Sequence, residues 1–596
     1  MQKKIFNKTI FHLIFIAVIS LIAYSNTFEA AFHFDDDHYI IKNSGIRDLN
    51  NFIQVLSSAD FDLPYKRTFK SRYIGFLTFA LNYRIHGLNV AGYHYVNLFV
   101  HICTSLLLYF FILLTFNTPS LANSAIKDYA KHIALLTSLL FACHPLQTQA
   151  VTYIWQRVTS LCTMFYMLSL VAYIKWRLLQ GAKSRLPAPG PAIYYLLSLA
   201  SAILAIKTKE IAFMLPVMLT LYEMIFFEGK MKKRLLYLIP FIMTMLIIPL
   251  TLLNIDKPIG EMISDAGTIR GTTQLPRGEY LLAEFRVLVT YLRLIFLPVN
   301  QNLDYDYSRY FSFFNIEVFS SFVFLALIFG LSIYILFRYR DSVPNTRIIS
   351  FGIIWFFINL MIESSIIPLY NVIFEHRMYL PSIGVFSALT IAIFMLINRW
   401  RAYARVITVM LIVIIIVLTG ATYARNSVWK DELTLYQDVV NKSPNKASSY
   451  SNLGNAYESK GLLDKAIEQY LVAIKIKHNY HLAFYNLGNA YASKGIIDMA
   501  ITQYLMAVKL KPDFSKAQHN LGAAYHVKGL PDKAIEQYLV AIKIKHNYPR
   551  AHYNLGVAYK SQGNFELAIK EYNKALRLRP GWELPLKDLK QLNKKR

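Results

Sequence analysis

The chain has 596 residues, too many for one soluble domain, and 55% of them are hydrophobic. Lys and Arg outnumber Asp and Glu by 63 to 36, a net charge of +27; no local basic module interleaved with aromatics accompanies it, which argues against nucleic acid as a partner. Cys103, Cys143 and Cys162 lie in apolar segments without disulfide or zinc spacing, which excludes a disulfide scaffold and predicts small buried hydrophobes instead.

The apolar excess lies before about residue 423. A bilayer-crossing helix needs about 20 mostly apolar residues. Segments near 9–26, 94–116, 131–145, 150–174, 191–206, 210–227, 235–254, 316–337, 347–363, 382–398 and 404–422 predict 11 spans. The segment 284–299 is apolar but holds Arg286 and Arg293, and it reads as re-entrant or interfacial. Basic clusters fall at Lys3 and Lys4, Lys127 and Lys131, Lys175 to Arg185, Lys230 to Arg234, Arg338 to Arg347, and Arg399 to Arg405. With 11 spans all of them face the cytoplasm, as the positive-inside rule requires. The N-terminus is then cytoplasmic, and the C-terminal region lies outside, in the periplasm of a bacterial inner membrane or the lumen of the endoplasmic reticulum. The first span lacks a small-residue cleavage site and reads as a retained anchor.

The external loops hold the polar groups. In FHFDDDHYIIKN, Asp35, Asp36 and Asp37 follow the first span closely. A carboxylate there suits a general base on a hydroxyl, or a ligand to a divalent ion; a solvated turn is the plain alternative. Arg67, Arg72 and Arg84 follow. His94, Asn97 and His101 share one helix face and suit hydrogen bonds between helices, or, more weakly, a metal. His144-Pro145 breaks the third span. Arg157 lies inside the fourth and needs an anionic partner, protein or lipid phosphate. Lys207, Lys209 and Glu210 form KTKE between two spans, and Glu375, His376 and Arg377 precede the tenth. Together they outline an acidic residue beside a basic pocket ready for phosphate.

Beyond residue 423 the sequence turns polar and periodic. Asn-Leu-Gly recurs at 452–454, 486–488, 520–522 and 554–556, a period of 34 that marks tetratricopeptide repeats. Tyr457, Tyr491, Tyr525 and Tyr559 keep the same phase, as do Ala466, Ala500, Ala534 and Ala568. The expected domains are a membrane domain over 1–427, a degenerate leading helix over 428–446, four repeats over 447–582, and a basic capping tail over 583–596. Stacked repeats supply the core that no single repeat can bury. Asn452, Asn486, Asn520 and Asn554 form a ladder on the first helices. It either grips the backbone of an extended peptide in the repeat groove or bridges neighbouring helices.

FxFDD at 32–36, TFALNYRIHGLNVAGYHYVNLFVH at 78–101, ACHPLQTQAV at 142–151, KTKE at 207–210 and EHRMYLPSIG at 375–384, followed by the repeats, resemble the transmembrane and tetratricopeptide-repeat family of protein O-mannosyltransferases. The resemblance implies an all-α architecture: a membrane domain of the GT-C glycosyltransferase fold followed by an α-solenoid. It implies transfer of a mannose-like sugar from a polyprenyl-phosphate donor in the bilayer to Ser/Thr hydroxyls of proteins outside the cytoplasm. It assigns Asp35 or Asp36 as base, and Arg377, with Arg157 or Lys209, to the leaving phosphate. Glu375 and His376 complete the donor motif. No tightly bound cofactor, no nucleotide loop and no assigned metal ligand follow from it; metal dependence stays open. The chain departs from the family in its third aspartate and in His376, where animal members more usually carry Arg. An O-antigen-ligase-like transferase and a non-enzymatic membrane scaffold are the competing readings.

Overall fold

The computed structural model describes residues 2–50, 52–53, 66–181, 190–252, 276–339, 342–364 and 371–595. It divides into two compact units, Met1–Asp431 and Glu432–Arg596. Among the described residues every regular element is helical.

The longer helices of the first unit are α1 (Gln2–Ala23), α2 (Tyr73–His86), α3 (Val90–Thr115), α4 (Ala130–Cys143), α5 (Arg157–Gly181), α6 (Gly190–Ile206), α7 (Leu215–Phe226), α8 (Met231–Thr244), α9 (Arg277–Phe296), α10 (Ile316–Tyr339), α11 (Thr346–Leu360), α12 (Ser382–Arg399) and α13 (Ala404–Ser427). Each expected span contains a helix. Among the described residues six stretches are long and apolar enough to cross a membrane: Val90–Thr115, Ile154–Gln180, Met231–Thr251, Ile316–Tyr339, Ser382–Arg399 and Arg401–Ser427. Lys8–Ala23, Pro191–Ile206 and Thr346–Leu360 are shorter apolar helices. Most of the segment at 284–299, read from sequence as re-entrant or interfacial, lies in the 20-residue helix α9. Its buried Tyr280, Ala283, Glu284, Val287, Tyr291 and Leu294 recur at helical spacing on one face, which leaves Arg286 and Arg293 away from that face.

Polar contacts tie this bundle together. Glu223 of α7 is fully buried and accepts from Arg177 of α5 (2.8 Å), Arg234 of α8 (3.3 Å) and the Tyr173 hydroxyl (3.1 Å). Helices α11 and α12 meet at Gly352 and Gly384. A Cβ on either would lie 2.3 Å from the other's carbonyl oxygen, so only glycine allows that approach.

The second unit opens with α14 (Glu432–Lys442). Four helix pairs follow: α15 (Ala447–Ser459) with α16 (Leu463–Ile476), α17 (His481–Ser493) with α18 (Ile497–Leu510), α19 (Ser515–Val527) with α20 (Pro531–Ile544), and α21 (Pro549–Ser561) with α22 (Phe565–Leu578). The last helix, α23 (Glu583–Lys595), closes the array. Its Leu592 joins Ala568 and Tyr572 in a buried cluster, and its Asp588 accepts from Tyr553 and Lys560. The Asn-Leu-Gly motif now has a physical reason. A Cβ at Gly454, Gly488, Gly522 or Gly556 would fall 2.4 to 2.8 Å from the ring of Tyr470, Tyr504, Tyr538 or Tyr572 on the partner helix.

Candidate active site

The site begins where α1 gives way to the loop that follows it. Ala31 N–H donates to the Lys430 carbonyl, and the His33 ring bonds the Trp429 carbonyl at 2.7 Å, so the strand-like segment is fixed against the end of α13. Phe34 then adopts a left-handed backbone (φ 49°), costly for an aromatic residue. Asp36 holds that turn. Its fully buried carboxylate accepts from the backbone N–H of His33 (2.8 Å) and of Trp155 (2.7 Å), and its own N–H donates to the His33 carbonyl.

The turn presents Asp35 to a cleft of about 360 Å³. Asp35 N–H donates to the Tyr153 hydroxyl at 3.1 Å. The aromatic walls are Phe34, Tyr39, Tyr153, Trp155 and Phe374, with Tyr39 stacked on Trp155 at 4.1 Å. Burial by these walls pushes the Asp35 carboxyl above its ordinary range; the Tyr153 hydroxyl, then Arg72 and His38, pull it back. Burial drives Asp36 well above that range, against the two backbone N–H donors.

Three cations line the same cleft. Arg72 is held by Glu210 (3.1 Å). Lys209 pairs with Glu363 (2.7 Å) and donates to Thr159 (3.0 Å). Arg377 donates to the carbonyls of Val372 (2.8 Å) and Asn371 (2.7 Å) and lies 3.8 Å from Glu284. His376 also lines the cleft. Its N–H donates to Gln149, and burial, with Lys209 and Arg377 beside it, keeps the imidazole neutral. Such a cleft can take an uncharged hydroxyl at Asp35 and an anionic group at the cations. Among the described residues no three His, Cys, Asp or Glu side chains gather to hold a metal.

The structure thus brings Asp35, Lys209, His376 and Arg377 together and separates the other expected residues. Asp36 points away from the cleft into its two backbone donors. Arg157 is fully buried outside it. Its guanidinium donates to Asn97 (2.6 Å), Asn82 (2.8 Å) and the Tyr93 carbonyl (2.9 Å), and it stands over the Phe79 ring. Its hydrogen-bond partners are neutral oxygens, and the carboxylate that acts on it electrostatically is Asp36. Glu375 is buried beside the cleft, accepting from Gln301 (2.9 Å), Asn302 N–H (2.7 Å) and Tyr305 (2.7 Å), and so fixes the 301–305 loop. His94, Asn97 and His101 bond the Ala30, Val151 and Ala142 carbonyls, which is the interhelical role. The sequence reading missed Arg72 and Glu363 as members of the site. Glu363, a carboxylate at the end of an apolar segment, carried the signal.

The asparagine ladder faces along the array. Asn486 donates to Asn455 (2.9 Å) and Ser451, and Asn520 donates to Asn489 (2.8 Å) and Tyr485; Asn554 meets the His519 ring (3.0 Å). These amide donors bridge each repeat to the one before it, the bridging alternative of the two that the sequence offers. Asn452 occupies the same position in the first repeat, half-buried on α15.

An all-helical membrane protein carrying a solenoid of tetratricopeptide repeats is the class that this fold defines. The tetratricopeptide repeat family models match residues 459–495, 488–529, 532–563 and 549–581. The chain is, more particularly, a relative of the protein O-mannosyl-transferases. It is 26% identical to protein O-mannosyl-transferase F38B6.6 of Caenorhabditis elegans, over 79% of this chain and 63% of that protein. It is 23% identical to Tmtc3 of Drosophila melanogaster (78% and 54%) and 22% identical to human TMTC3 (76% and 50%). The chain therefore spans about half to two-thirds of the length of these relatives. Among solved structures, MamA is 32% identical over 24% of this chain and 85% of its own, with a TM-score of 0.24.

Proposed function

We propose that the protein is a membrane glycosyltransferase that moves a mannose-like sugar from a polyprenyl-phosphate donor to Ser/Thr hydroxyls of protein acceptors on the extracytoplasmic side. The observation that carries this reading is the Asp35 carboxylate facing a cleft that also holds Arg72, Lys209 and Arg377, while the cleft's other carboxylate, Glu363, is paired with Lys209. Three cations suit a phosphate, and an aromatic wall suits a sugar face. In the reaction the acceptor hydroxyl oxygen forms a bond to the anomeric carbon while the bond from that carbon to the phosphate oxygen breaks. The hydroxyl proton passes to Asp35, and the bonding electron pair leaves with the phosphate, whose growing charge the cations stabilise. The raised proton affinity of Asp35 makes it a better base than a solvated carboxylate. The relatives' name as O-mannosyl-transferases supports the sugar and the acceptor class.

The test is transfer from a polyprenyl-phosphate mannose to a Ser/Thr-rich peptide by the purified protein. Asp35→Asn is expected to lower the rate by about 10²–10⁴-fold with normal expression. Arg377→Lys is expected to impair turnover, because an ammonium does not replace a planar fork. Full activity in Asp35→Asn would end the base assignment, and a wild-type protein inactive with every polyprenyl-phosphate sugar would favour the scaffold.

A further inference from the structure

A second feature repeats through the solenoid, at the end of each second helix. The sequence there reads KIKHNY at 475–480, KLKPDF at 509–514, KIKHNY at 543–548 and RLRPGW at 577–582. Basic, aliphatic, basic and, three residues on, aromatic: the pattern recurs four times at a spacing of 34. The first cation of each set lies in the last helical turn, and the second is the residue that ends the helix. All eight are exposed. None forms an ion pair among the described residues, whereas Lys494, Lys528 and Lys560 elsewhere in the array do.

The second cation of every set stands over the aromatic ring that follows it. The distances are 5.6 Å for Lys477 and Tyr480, 6.0 Å for Lys511 and Phe514, 5.3 Å for Lys545 and Tyr548, and 5.3 Å for Arg579 and Trp582. Helix-dipole complementarity accounts for one cation at each helix end. It accounts neither for two nor for a ring beneath the second. The ring holds the long side chain in place and so reduces the entropy lost when the charge meets a partner. Because the sets lie 34 residues apart, a local reading of the sequence does not show them as one basic and aromatic module.

We infer that this edge of the solenoid is a docking surface for an acidic, extended polypeptide segment. Two rows of cations spaced one set per repeat match carboxylates along a flexible chain. The rows turn with the solenoid, and a disordered segment can follow that path where a flat bilayer cannot. Each ring is half-buried and already holds a cation, which leaves it poorly placed to stack on nucleic-acid bases. This inference does not rest on the transferase reading.

The experiment uses the full chain in phosphatidylcholine nanodiscs. The probe is a fluorescein-labelled 20-residue peptide of alternating Glu with Gly and Ser, compared with its Gln counterpart by anisotropy. Binding is expected for the Glu peptide only, weakening with added salt. The variant Lys477→Gln, Lys511→Gln, Lys545→Gln, Arg579→Gln is expected to lose about tenfold in affinity. A control removing equal charge at exposed lysines that stand over no ring, Lys516→Gln, Lys570→Gln, Lys587→Gln, Lys590→Gln, is expected to lose about twofold or less. If the first variant fails to fold, Lys475→Gln, Lys509→Gln, Lys543→Gln, Arg577→Gln takes its place with the same expectation. Equal losses in test and control variants, equal binding of the Glu and Gln peptides, or variant-sensitive binding to phosphatidylglycerol vesicles without peptide binding would each overturn the proposal.

Discussion

Asp35 and Asp36 are adjacent copies of one side chain in opposite surroundings. Asp35 opens onto the cleft, while Asp36 is buried against two backbone N–H groups. In the proposed reaction Asp35 must be ionised. Its carboxyl holds its proton to higher pH than a solvated aspartate, so activity should be lost on acidification, with an acid limb at higher pH than a solvated aspartate would give. The check is kcat/KM from pH 3.5 to 8. Asp36→Ala should keep that acid limb while lowering kcat, because the Phe34 turn loses its anchor and Asp35 is no longer held in place. Loss of the limb in Asp36→Ala, with its retention in Asp35→Asn, would exchange the two roles. The sequence drew attention to this pair but did not separate its members. What separates them is a backbone turn and a contact to Trp155, 119 residues away. Arg157 was legible as a buried cation needing partners, yet its hydrogen bonds go to amide and carbonyl oxygens that no charge pattern shows.

Periodicity made the solenoid readable before its packing was known. Ala466, Ala473 and their counterparts in the other repeats are fully buried, as close helix packing demands. The glycine of Asn-Leu-Gly has a sharper role, since it faces a tyrosine ring across the helix pair. Gly488→Ala would place a Cβ 2.7 Å from the Tyr504 ring, which must then move. A cost of about 1–3 kcal/mol is expected, read as a lower denaturation midpoint of the repeat unit. Gly495 is the contrasting case. Nothing lies within 4 Å of its Cβ position, but its φ of 77° is left-handed. Gly495→Ala should therefore cost about 1 kcal/mol through the backbone alone, and a Gly488→Ala effect no larger than this would remove the ring contact as the reason for the motif. The asparagines of the same motif were legible as a ladder, but their direction was not. Their partners sit 31 and 35 residues back on the preceding repeat, a relation set by the superhelix rather than by local sequence.

At the scale of the whole molecule the proposed chemistry depends on which side of the membrane each loop occupies. The basic clusters alternate with the acidic and aromatic loops along the sequence. The segments that build the cleft, around residues 34–39, 72, 153–156, 209, 303, 363 and 371–377, converge in one place in the first unit. Outside the cleft, Arg177 near the end of α5 and Arg234 near the start of α8 both pair with Glu223. If the charged loops lie in the cytoplasm, the cleft is expected to face outward. An odd number of crossings would then put the chain after α13 outside the cytoplasm, where a transferase would meet secreted or luminal acceptors. Paired fusions test this. Alkaline phosphatase, active only outside the cytoplasm, should be active when fused after residue 596 and inactive when inserted near residue 185. A fluorescent protein that matures only in the cytoplasm should give the reverse. Cytoplasmic activity after residue 596 would mean an even number of crossings; the repeats would then be separated from an external cleft, and the reading of the protein as an enzyme acting on extracytoplasmic proteins would fail with the topology.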